Sequence, residues 1–143
     1  MKHKSVGAHR SICRIVAFLA AGGINAAGVA IADIMPAGTP SETRLAIQNA
    51  IDAAAIANPA GTVTLGNGTF KIDAQLMVTG GVALVGQGWV KTIIKQVATT
   101  ASANTRVMTV DGGATVRGVA ITGGRVIGSN YQYGGGVLIK DGV

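Results

Sequence analysis

The sequence predicts an all-β chain led by one short helix, with small strands stacked as repeated coils. Three observations carry this. A single stretch, residues 43–57, has apolar residues at 3–4-residue spacing, and everything after Gly61 alternates in short bursts. Glycine supplies 22 of 143 residues and falls between the bursts. Similar bursts recur at offsets of 19 (Val63 to Val82) and 18 (Val119 to Val137), the range of stacked solenoid coils that cannot bury a core singly. Short strands with turn signals also suit a sandwich or jelly roll, and at this level both stay open.

The first 32 residues read as an export signal. Lys2, Lys4, Arg10 and Arg14 precede a charge-free run from Ile15 to Ala32, and Ala30-Ile31-Ala32 gives a small-x-small cleavage pattern before Asp33. Gly22, Gly23, Asn25 and Gly28 interrupt the run, whereas a spanning helix needs about 20 predominantly apolar residues, so no membrane span is expected after cleavage. The expected location is exported: secreted, periplasmic or at the cell surface. His3, His9 and Cys13 all lie in this segment, so the mature chain has neither His nor Cys. Disulfides, thiolate or histidine catalysis and cysteine–histidine zinc sites are thereby excluded from it.

Residues 33–38 serve as a linker, and residues 39–58 as a capping helix. Thr39 can cap, Pro40 suits the first helical position, and Glu42 stands three residues after the cap. Ile47, Ala50, Ile51 and Ala54 form the apolar stripe, which Asn58-Pro59 and Gly61 end. Strands are then expected at 62–65, 69–72, 76–78, 82–84, 92–94, 107–110, 119–121 and 137–139. Gly66-Asn67-Gly68, Gly80-Gly81, Gly86-Gln87-Gly88, Asp111-Gly112-Gly113, Gly123-Gly124 and Gly134-Gly135-Gly136 mark the turns.

Charge narrows the function. The chain is +6 overall, yet from Asp33 onward 8 basic residues face 6 acidic ones, and no Lys/Arg stripe stands out for a phosphate backbone. No nucleic-acid partner is expected.

Ala46-Ile-Gln-Asn-Ala-Ile-Asp-Ala53, Gly61-Thr-Val-Thr-Leu65, Gly68-Thr-Phe-Lys-Ile72, Gly81-Val-Ala-Leu-Val-Gly-Gln-Gly88 and Thr92-Ile-Ile94 resemble the opening of pectin-lyase-like proteins. Ala114 to Gly124, followed by Gly134-Gly-Gly-Val-Leu-Ile139, is similar to the repeats of bacterial exported β-helix proteins. The resemblance covers residues 41–143 and implies a right-handed parallel β-helix, a pectin-lyase-like solenoid, with a short N-terminal capping α-helix. Residues 59–143 would be its first coils. The last expected strand has no cap after it, so the coils are expected to continue beyond Val143, or to meet another chain at an open edge.

The resemblance further implies a parent protein that acts on or binds an acidic or plant-type polysaccharide, in the manner of a pectate lyase, with calcium held by a carboxylate cluster and an Arg or Lys as base. The alternative is a non-catalytic surface passenger or adhesin with the β-helix as stalk. These residues have no Asp-Asp pair and no D-x-D cluster, and a glycoside hydrolase needs two facing carboxylates. No catalytic residue, metal ligand or resident cofactor is therefore assigned.

Gly86-Gln-Gly-Trp-Val-Lys-Thr92 lacks the Gly-Lys spacing of a phosphate loop and reads as a turn. The ligand-binding candidates are aromatic. Trp89 can stack on a sugar ring or, as its apolar area favours, cover a coil edge or the helix. Tyr131 and Tyr133 flank Gln132 and can form a shallow platform for a glycan.

Overall fold

The structure, a computed structural model, describes residues 30–98, 105–125 and 135–140. It begins with a strand that the sequence reading did not anticipate, β1 (Ala30–Ile34), followed by helix α1 (Pro40–Ala55). Nine strands follow: β2 (Thr62–Leu65), β3 (Gly68–Ile72), β4 (Leu76–Val78), β5 (Ala83–Val85), β6 (Thr92–Gln96), β7 (Met108–Val110), β8 (Thr115–Arg117), β9 (Ala120–Thr122) and β10 (Val137–Ile139).

The helix begins where its cap allows. The Thr39 hydroxyl accepts the Glu42 backbone N–H at 3.3 Å, and the Glu42 carboxylate accepts the Thr39 backbone N–H at 2.7 Å, a reciprocal capping box. These bonds hold the Glu42 carboxyl below its ordinary value, the Thr39 backbone N–H contributing most and its hydroxyl next. A depressed folded pKa means that the unfolded chain binds more protons in that window. The Glu42 contribution is therefore complete above the unfolded carboxylate value, about 4.3, and is lost as pH falls through the lower folded one. Urea unfolding midpoints measured on the acid side should fall less steeply with pH in Glu42→Gln than in the parent chain. Equal slopes would remove the capping box from the account.

Thr43, Ile47, Ile51 and Ala54 form the buried stripe of α1. The Gln48 amide adds a polar contact by bonding both the N–H (2.9 Å) and the C=O (3.0 Å) of Met77 on β4. It thus supplies β4 with the pairing a neighbouring strand would give. Helix α1 and strand β1 together cover one end of the strand stack.

The strands form three parallel sheets, β1-β2-β5-β8, β3-β6-β9 and β4-β7-β10. From β2 onward each strand pairs with the one three places later. The only antiparallel pairing among the described residues is the isolated bridge Thr105–Arg125, so an antiparallel sandwich or jelly roll does not describe the chain.

The expected right-handed parallel β-helix of pectin-lyase type is corrected as well. The sheets are short, three or four strands deep with strands of three to five residues, and the described residues form no closed solenoid. The physical reason shows in burial. Val63 and Leu84 are fully buried but Val116 beside them is not; Phe70 and Ile94 are buried but Ile121 is not; Met108 is buried but Val137 is not. Among the described residues the interior is fully buried beneath α1 and only partly buried by the third level.

The 19- and 18-residue offsets also misassigned neighbours. Val63 lies beside Leu84, and Val137 lies beside Met108 in a different sheet from Val119's neighbour β9. Connections of unequal length between registered strands blur any single period.

Candidate functional site

Trp89 stands on the turn between β5 and β6, and local hydrogen bonds fix that turn. The buried Thr92 hydroxyl donates to the Gly66 carbonyl at 2.9 Å and accepts the Gln87 backbone N–H at 2.9 Å. The Gly88 carbonyl accepts the N–H groups of both Lys91 and Thr92, each at 2.8 Å, while the Gly88 N–H donates to Gly118 on the next level at 2.9 Å. Gly88 has φ +125°, a conformation few other residues adopt, and this lets the chain leave β5 and return as β6. The indole on this braced turn is 73% exposed, and Val90 beside it is 68% exposed. Trp89 therefore does not bury itself over the helix or a coil edge, the role its apolar area favoured. Tyr131 and Tyr133 lie outside the described residues.

Three lysines gather on the sheet that this turn feeds. Lys71 of β3 and Lys95 of β6 are registered partners, both exposed, with exposed Thr122 of β9 next in the row. Lys91 is exposed at the head of β6, and its carbonyl accepts the Gly68 N–H from β3 at 2.8 Å. None of the three has a carboxylate within 4 Å among the described residues, where the single ion pair is Arg44–Asp73 at 3.9 Å. The sequence reading missed this grouping because Lys71 and Lys95 are 24 positions apart and only strand register makes them neighbours.

The described carboxylates are scattered and occupied. Glu42 serves the helix cap, Asp52 accepts from the Gln48 amide at 2.9 Å, and Asp111 accepts the Gly112 N–H at 2.7 Å. Asp33 receives the Gln87 amide at 3.4 Å, and Asp73 faces Arg44. Among the described residues no group of three or more His, Cys, Asp or Glu is placed to hold a metal ion, and no helix is long and apolar enough to cross a membrane. An apolar hollow of about 500 Å³ opens at the β8–β9–β10 end, lined by Val116, Val119, Ile121, Val137 and Ile139 among others. It continues the core, and among the described residues nothing covers it.

The chain matches no family model, no curated protein and no solved structure, and nothing in those comparisons ties it to the pectin-lyase-like proteins that its opening resembles.

Proposed function

We propose that the chain belongs to an exported protein that binds polysaccharide, with Trp89 as its stacking residue. The observation that carries this reading is an indole left 73% exposed on a turn that five hydrogen bonds hold in place. A free tryptophan face exposes a large apolar area that contributes nothing to the core, and its pre-ordered backbone lowers the entropy lost when a ligand docks. The C–H face of a sugar ring fits such a surface. Export is supported by the basic and then charge-free N-terminal segment.

The test is retention of the full chain in native gels containing a soluble polysaccharide, compared with Trp89→Ala. Loss of the indole should weaken retention by about 2 kcal/mol, roughly thirtyfold in affinity, the scale of a tryptophan hot spot. Because Trp89 is exposed, the variant should melt within a few degrees of the parent. Unchanged retention would remove Trp89 from the site.

A further inference from the structure

We propose that the exported chain keeps strand β1, and that its leader is removed on the N-terminal side of Ala30 rather than at the Ala30-Ile31-Ala32 pattern. The proposal rests on the export reading above. It adds the place where a signal peptidase, which reads small residues just ahead of the peptide bond it hydrolyses, cuts the chain.

Pairing is the first argument. Ala30 and Ile31 are registered against Thr62 and Val63 of β2, and Ile34 against Leu65. A cut after Ala32 removes the first two of these pairs. Only Asp33-Ile34 of β1 would stay, and strands rarely run below about three residues. The cut would also leave an α-ammonium group on Asp33, beside the one remaining pair.

The sheet edge is the second argument. β1 is the outermost strand of β1-β2-β5-β8. The register shifts between Ile31 and Ile34, so β1 is bulged across the Ala32–Asp33 bond, and Asp33 there is exposed. A bulged outer strand that carries a charge is a poor template for pairing with another chain. Without β1 the edge passes to β2, Thr62-Val-Thr-Leu65, which bears no charge and pairs in even register with β5. Its backbone N–H and C=O groups would then stand unpaired at the edge, the arrangement that invites association.

The third argument is how the chain around Ala32 is held. The Ile34 carbonyl accepts the Gly66 N–H at 2.8 Å, and Ile34 packs against the core. The Asp33 carboxylate accepts the Gln87 amide at 3.4 Å, and α1 packs against β1. In the folded chain the Ala32–Asp33 bond thus lies within a paired strand, whereas proteases favour exposed loops. A cut there made before folding would discard a strand that the sheet uses. Ala26-Ala27-Gly28 offers the same small-x-small pattern, closer to the apolar run Ile15–Ala21 than Ala32 is, and a cut after Gly28 leaves β1 whole.

The experiment expresses the full chain in a secreting bacterial host and reads the exported product by N-terminal sequencing and intact mass. Its first residue should be Ala30 or one before it, and Val29 where Ala26-Ala27-Gly28 is the pattern used. Ala32→Leu places a bulky side chain where a cut after Ala32 needs a small one. It should leave both the N-terminus and the yield of processed chain unchanged.

A product that begins at Asp33, or loss of processing in Ala32→Leu, would overturn the proposal while leaving export intact. A product that begins at Met1, or a chain retained inside the cell, would overturn the export reading and the cleavage with it.

Discussion

Replacing Phe70 by alanine should destabilise the chain by about 3–5 kcal/mol, the range for truncating a fully buried phenylalanine. Phe70 is the largest of the fully buried side chains and sits on β3, the strand on which α1 packs most extensively. Its cavity would open in the one core that Phe70 shares with its registered partner Ile94 and with Ile47 and Ile51 of the helix, all fully buried. The site has little room to collapse, because paired strands hold its walls. For a small domain a loss of that size is a large share of total stability. Urea denaturation followed by far-UV circular dichroism measures it. Thr69→Ala, the exposed neighbour on the same strand, should change stability by no more than about 0.5 kcal/mol. Similar effects from the two variants would mean that the interior is not the packed core described.

Gly118→Ala should be the second severe lesion, through a different mechanism. Gly118 has φ +67°, which costs a side-chain-bearing residue about 1 kcal/mol. A methyl group there would also lie 2.5 Å from the Gly86 carbonyl oxygen and 3.4 Å from the Gly88 nitrogen. Both obstacles are backbone, so neither can rotate away. The turns after β5 and β8 stack at this point, tied by the Gly88 N–H to the Gly118 carbonyl, and the added methyl pries them apart. Strain and overpacking together come to about 2–4 kcal/mol. Gly113→Ala separates the two causes, because Gly113 shares the left-handed conformation at φ +72° but has nothing within 4 Å of its added carbon. It should cost only about 1 kcal/mol. Equal losses at the two glycines would refute close stacking of the turns. Because Trp89 rides on the upper of these turns, Gly118→Ala should also weaken glycan retention beyond what its stability loss explains.

Local chemistry made much of this architecture readable. Thr39, Pro40 and Glu42 fix the start of α1 through bonds that need no distant residue, and its buried stripe follows from helical spacing. The strands at 62–65, 76–78 and 137–139 lie where alternation places them, because side chains of an extended chain alternate faces wherever it packs. Glycine marked the turns for the same reason: conformations with positive φ are cheap only there.

Pairing was not readable, because it joins residues that are far apart in the chain. Ala30–Ile34 reads from sequence as the end of the charge-free leader and its cleavage pattern, and becomes a strand by lying along β2. Thr115–Arg117 is likewise a strand because β5 offers its edge. The unequal connections hid the true neighbours behind a false 18–19-residue spacing, and the same register brings Lys71 beside Lys95. Exposure was beyond reach as well. The area of Trp89 argued for covering a coil edge or the helix, yet the indole stands in solvent on the β5–β6 turn while Ile47, Ile51 and Ala54 of α1 enter the core. Conformation within a few residues is set by short-range sterics and hydrogen bonds, which a sequence displays directly. Which strands meet, and which side chains are left outside, depends on competition for one shared interior, and that is resolved only when the whole chain packs.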